Sequence, residues 1–170
     1  MTTDRFLTAE WRYLAMINYE IDPVLLLRRV PSGTELDFWE GKTFVSIVGF
    51  LFLKTKVLGW TIPLHREFEE VNLRFYVRRK GPEGWRRGVV FIKEIVPRWA
   101  IAVIARIVYN ENYIALPMRH EVLLPPSHPS ALNGVVEYDW RLNGQWNHLR
   151  IQPSGEAQAL VVGSQEEFIA

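Results

Sequence analysis

Cysteine is absent from the 170 residues, which excludes disulfides, thiolate nucleophiles and Cys-ligated zinc or iron–sulfur clusters. Net charge is nearly absent as well. The 20 Lys+Arg and 19 Asp+Glu leave a formal +1, too balanced to make nucleic acid or an anionic membrane the default partner. No long hydrophobic run occurs: the most apolar stretch, Phe44–Leu53, falls far short of the ~20 residues a membrane span needs. The opening MTTDRFLTAEW has no basic segment followed by an apolar run, so no signal peptide is expected and the chain reads as cytoplasmic. GxGxxG, P-loop and GxSxG patterns are missing, as are internal repeats. His65, His120, His128 and His148 are scattered without HxH or HExxH spacing, so neither a metal site nor a cofactor is expected.

What is present is apolar and aromatic. Hydrophobic residues make up 48% of the chain and aromatics 13%, with seven Trp. A single domain over residues 1–170 can bury about two-thirds of its unfolded surface. WRYLAMINYEI, from Trp11, reads as a strand. DPVLLLRRVP follows as a short helix, with Asp22 as N-cap, Pro23 in the first position and Pro31 beyond the end. KTFVSIVGFLFLKTKV is apolar on both alternate faces, as a strand buried on both sides would be. EVNLRFYVRR alternates: Val71, Leu73, Phe75 and Val77 point one way, and Glu70, Asn72, Arg74 and Tyr76 the other. RKGPEGWRRG turns the chain into a returning strand, GVVFIKEIV. Residues 98–109 read as a buried helix. RHEVLLPP, GVVEYDWRL, QWNHLRIQP and AQALVVG read as further short strands, with Asn143-Gly144 as the strongest hairpin signal. The fold class expected is α+β, mainly antiparallel β, as an open or closed barrel with a few packed helices.

At the end, SQEEFIA sets Ser164 and Glu167 in capping-box spacing before the apolar Phe168-Ile169. A helix that stops within one turn is marginal, so the chain is expected to be a truncated piece of something longer. Part of the barrel's apolar surface would then be uncovered, so the chain is expected to form a homodimer or bury its terminus against a neighbour.

The chemistry centres on FIKEIVPRWAIAVIAR. Strand alternation sets Glu94 on the face of Val90, Ile92 and Val96, and a buried carboxylate calls for a paired cation. Arg98 stands just beyond Pro97, and Arg12 or Arg74 could approach. Such a cluster serves either a structural Arg–Glu network or a ligand site. The basic group Arg78, Arg79, Lys80, Arg86 and Arg87 reads as a solvated hairpin tip.

WRYLAMINYEIDP, VPSGTELDFWEGKTFVSIVGF, HREFEEVNLRFYV and GVVFIKEIVPR, in this order, resemble the uncharacterised bacterial YqjF-like family of the acetoacetate decarboxylase-like superfamily. The resemblance implies a cone-shaped antiparallel β-barrel around an apolar cavity, within a longer protein. In the decarboxylase, a lysine after a proline carries the chemistry; the matching position here is Arg98. Schiff-base catalysis needs a neutral amine, and arginine stays protonated. Of the decarboxylase's two site glutamates, one falls near Ser46 and is lost, and the other falls on Glu70; its upstream arginine falls on Arg12. Lys93 is the one other lysine in an apolar segment, on the face opposite Glu94 in a regular strand.

The leading reading is a barrel that binds a small anionic or keto-acid-like molecule without Schiff-base decarboxylation. Arg98 and Arg12 would hold the anion, Glu94 and Glu70 would orient them, and Trp99 and Tyr113 would wall the pocket. One rival is an enzyme using Glu70 with His120 for acid–base work on a keto or enol substrate. The other is a structural or oligomerising module without a ligand.

Overall fold

The computed structural model describes residues 7–57, 60–61, 67–97, 112–124, 134–154 and 158–170. The helix expected over residues 98–109 lies outside these residues, as do Arg98 and Trp99.

The long apolar segments form the main sheet. β1 (Leu7–Ile21), β3 (Thr43–Val57), β5 (Phe68–Gly81) and β6 (Gly84–Val96) lie side by side, all antiparallel, and β7 (Tyr113–Ala115) adds a parallel edge to β6. Two-residue strands β2 (Glu35–Leu36) and β4 (Trp60–Thr61) attach to β5 and β3. A second sheet runs β10-β9-β8 from β8 (Met118–Leu123), β9 (Val135–Leu142) and β10 (Gln145–Ile151). Asn143 and Gly144 turn β9 into β10 with φ of 51° and 82°, the left-handed pair a tight hairpin needs. Mainly antiparallel strands with few helices are thus what the structure has. Neither sheet closes on itself among the described residues. β1 and β7 remain the ends of the main path, whereas a barrel requires every edge paired.

The central strand β3 is buried on both faces, as its double-sided hydrophobicity requires. On one face Ala15, Leu51 and Val71 meet Val136, Tyr138 and Leu149 of the second sheet. Further along that face, Phe75 and Val77 are covered by Leu26 and Leu36. Leu26 joins two single-turn 3₁₀ helices, Pro23–Leu25 and Leu27–Arg29. Asp22 caps them, accepting from Val24 N at 2.9 Å, but Pro31 stops the chain before a longer α-helix can form. The other face carries Val48, Phe50, Phe52, Phe68 and Val96.

Two expectations are corrected. Residues 158–161 are not a strand: no ladder pairs them, and Leu160, Val161 and Val162 stand exposed. Strand propensity without a neighbouring edge does not make a strand. The apolar terminus is buried on the chain itself and needs no neighbour to cover it. α1 (Gln165–Ile169) buries Phe168 and Ile169 against Phe44 and Tyr76 of the chain itself. Ser164 Oγ accepts from Glu167 N at 3.2 Å, and Glu167 Oε2 accepts from Gly163 N at 2.6 Å, so the capping residues close the turn reciprocally.

Candidate functional site

β5 carries the site because its alternation points Glu70, Asn72 and Arg74 to the face away from the second sheet. There they meet Glu94 of β6 and Tyr113 of β7, which are cross-strand partners of Asn72 and of Glu94 respectively. Together these five line a cavity of about 360 Å³ whose other walls are Trp11, Leu14, Val48, Phe50, Phe52, Val89 and Phe91. The aromatic floor is continuous: Trp11 lies 4.9 Å from Phe50, and Phe50 lies 5.1 Å from Phe52. Polar groups converging on an apolar hollow of this size are the ordinary build of a small-molecule site.

Glu70 and Glu94 are 3% and 2% exposed. Glu70 accepts from Asn72 Nδ2 at 3.1 Å and from the Tyr113 hydroxyl at 3.4 Å. Arg74 donates through Nη2 to the Ile169 carbonyl at 3.2 Å, and its guanidinium lies 5.7 Å from the centre of the Tyr76 ring. Its Nε has no hydrogen-bond partner among the described residues, nor has Asn72 Oδ1. Arg74, which is half-buried, forms no ion pair there either.

Glu94 reaches the cavity for a reason other than simple alternation. One extra residue of β6 sits opposite the step from Leu73 to Arg74, because Lys93 pairs with Leu73 and Phe91 with Arg74. This bulge moves the side-chain alternation by one. Glu94 and Val96 therefore share the cavity side with Phe91 and Val89, while Val90 and Ile92 pack on the Phe75 side. The expected grouping of Glu94 with Val90 and Ile92 is corrected accordingly. Lys93 lies opposite Glu94, with Nζ 3.4 Å from Asn112 Oδ1.

Of the residues singled out from sequence, Glu70, Glu94 and Tyr113 come together in the cavity. Arg12 does not. A bulge in β1 between Arg12 and Ala15, with Tyr13 at φ 55°, brings Trp11 and Leu14 to the cavity. Arg12 is left outside, 61% exposed and 3.3 Å from Glu10. Arg98 and Trp99 lie outside the described residues. Ser46, near which the family resemblance sets the lost glutamate, is fully buried. Its hydroxyl donates to Asn18 Oδ1 at 2.6 Å and accepts from the Tyr76 hydroxyl at 2.6 Å. Asn72 was legible as a neighbour of Glu70 from alternation alone, and Arg74 both from alternation and as a cation that could approach Glu94.

His120 is not beside Glu70. It sits on β8, and its Nδ1 is 3.1 Å from Glu69 Oε1, on the opposite face of β5. Alternation separates adjacent residues, so Glu69 faces the second sheet and Glu70 the cavity. The Glu69 hydrogen bond raises the His120 pKa above its ordinary value, partly opposed by burial; Glu67 adds a smaller attraction. The pair therefore stabilises the fold fully below the unfolded histidine value of ~6.5 and loses that contribution as pH rises through the folded value. Urea unfolding should show wild type more stable than His120→Gln near pH 6, with the gap narrowing toward pH 9. A gap independent of pH would mean that the imidazolium contributes nothing.

Among the described residues no group of three or more His, Asp or Glu could hold a metal ion, and no helix is long and apolar enough to cross a membrane.

The arrangement of strands is similar to that of solved structures of one fold. Acetoacetate decarboxylase from Legionella pneumophila superposes with a TM-score of 0.55 at 16% identity, over 86% of this chain and 52% of that one. The enduracididine biosynthesis enzyme MppR, solved with pyruvate, gives 0.57 at 14% identity over 78% and 51%. The fold is therefore acetoacetate decarboxylase-like. At the level of sequence, the chain belongs to the DUF2071 family, described as an uncharacterized conserved protein, whose profile matches residues 8–170. It is 36% identical over 76 residues to the uncharacterized protein YqjF of Bacillus subtilis (strain 168), covering 44% of this chain and 31% of YqjF. The chain thus spans about half the length of these solved relatives, and the matched part is under a third of YqjF.

Proposed function

We propose that the cavity binds a small oxo acid, with Arg74 as the group that receives its carboxylate, and that the chain performs no Schiff-base decarboxylation. The observation that carries this reading is an arginine with no ion pair among the described residues, lining a 360 Å³ hollow. Arginine's forked donors match a carboxylate, and at least one, Nε, has no partner among the described residues. The apolar floor would hold the short carbon chain, and the oxo or enol oxygen would lie toward Tyr113 and Glu70. Likeness to an enzyme solved with pyruvate supports the ligand class. In the same reading the two described sheets form parts of the cone-shaped barrel implied by family resemblance. Arg98 would be a second cation at its mouth.

A second reading, acid–base chemistry on a keto or enol substrate, is favoured by the contact of the Tyr113 hydroxyl with Glu70. Its partner for Glu70 would be Tyr113 or Glu94, not His120, which is engaged by Glu69.

Calorimetric titration tests the leading reading. Pyruvate or acetoacetate should bind, acetone should not, and Arg74→Met should weaken the acid about tenfold or more, since hydrogen bonds to charged groups contribute ~1.5–3 kcal/mol. Equal binding of the acid and acetone would sink the anion-binding role. In the same samples borohydride should trap no adduct, because Arg98 stands in place of the lysine. A stable mass increase on the peptide bearing Lys93 would overturn that part.

A further inference from the structure

The Arg74 guanidinium does not hold itself in place. β5 contributes its Cα, but the tip is gripped by the Ile169 carbonyl at 3.2 Å and the Tyr76 ring at 5.7 Å. Ile169 is in turn fixed by what surrounds Phe168. That ring lies 5.5 Å from Tyr76 and 6.2 Å from Phe44. Arg87 stacks 4.1 Å from the ring centre and donates to the Phe168 carbonyl. Arg87 is itself held by Asp37, a buried carboxylate 2.6 Å from its Nε. Val89 walls both the main cavity and a smaller hollow of about 170 Å³ formed by Phe168, Ile169, Arg87 and Tyr76. The terminal turn and the candidate site are therefore adjacent, joined through Arg74.

We propose that Ser164–Ala170 is a positioning element for the site. Docking of Phe168 and Ile169 fixes the Ile169 carbonyl, and that carbonyl fixes the rotamer of Arg74. An arginine side chain has many rotamers, and a ligand that must freeze them binds less tightly than one that finds them already ordered. Using one Nη2 hydrogen on a backbone carbonyl orders the fork while leaving its remaining donors for the ligand. This inference builds on the oxo-acid reading for its consequence, ligand affinity, but its structural half stands without a ligand.

The test uses Phe168→Ala, with Phe168→Met as the conservative variant, and reads the Nε–H resonance of Arg74 in 15N-labelled full chain. The resonance is assigned by its loss in Arg74→Met. In wild type and Phe168→Met it should be dispersed and slow to exchange. In Phe168→Ala it should collapse to the position of a free arginine while backbone resonances of β3 and β5 stay native. Pyruvate Kd should weaken about three- to tenfold in Phe168→Ala, as loss of one preorganised side chain implies, and the same substitution should have no further effect in an Arg74→Met background. An unchanged Arg74 resonance in Phe168→Ala overturns the positioning role whether or not pyruvate binds. A resonance that is dispersed in wild type and collapses in Phe168→Ala, in a chain that binds no pyruvate, upholds the positioning role and overturns the oxo-acid reading instead. A Kd loss that persists in the Arg74→Met background shows that Phe168 acts on the cavity by another route, and overturns the inference.

Discussion

Gly49→Ala is expected to destabilise the protein by about 3 kcal/mol, at the upper end of what overpacking a core costs. A Cβ at Gly49 would stand 2.5 Å from Tyr138 Cδ2, 3.0 Å from its Cγ and 3.1 Å from Leu149 Cδ2. The ring cannot swing clear. Tyr138 is fully buried, and its hydroxyl donates to the Tyr13 carbonyl at 2.6 Å, at the bulge of β1. Burial also pushes the Tyr138 phenol far above its ordinary pKa, so it remains a donor throughout the accessible pH range. The absent side chain of Gly49 is what lets the second sheet lie close on β3. Urea denaturation decides the matter: a midpoint change equivalent to less than about 1 kcal/mol would mean the two sheets can separate to admit a methyl group.

Phe75→Ala is expected to cost about 3–5 kcal/mol, the range for deleting a fully buried phenylalanine. Phe75 is 0% exposed and central to a cluster with Leu26, Leu36 and Val77. Its loss opens a cavity under the two 3₁₀ turns. Those turns have few hydrogen bonds of their own, and the segment between β1 and β3 stays put largely by covering that ring. A loss below about 1.5 kcal/mol would show the turns collapsing into the gap. Because Phe75 and Arg74 point to opposite faces of β5, folded Phe75→Ala should still bind pyruvate near wild-type affinity. Adjacent residues thereby separate stability from binding.

Much of this division was readable in the sequence. The alternation of EVNLRFYVRR assigned both faces of β5 correctly, and Asn143-Gly144, Asp22 and Ser164 marked a hairpin and two helix starts because their preferences are local. Glu70, Glu94 and Tyr113 were singled out and do share a cavity. Features that depend on distant pairing were not readable. Arg12 is displaced by a bulge that only the register of β1 against β3 reveals. His120 finds Glu69 because two sheets stack, and no spacing along the chain encodes which strands face each other. AQALVVG has the apolar content of a strand, but its described residues pair with no strand among the described residues, and the segment after Gly163 folds back on Tyr76 through contacts far apart in sequence.

The single extra residue near Ile92 also decides the sign of charge in the hollow. Parity along a strand is binary, so every residue after such an insertion exchanges odd for even. In an uninterrupted ladder from Phe91, the position two residues on is Lys93, and an ammonium would project between the aromatic walls with Glu94 turned away. As built, a carboxylate occupies that place and the ammonium lies across the sheet near Asn112. A matching one-residue insertion in β5 between Leu73 and Arg74 would restore the uninterrupted parity. On the face of Phe91 and Arg74 it would put Lys93 in place of Glu94, and by the same rule it would turn Glu70 and Asn72 to the other side of β5.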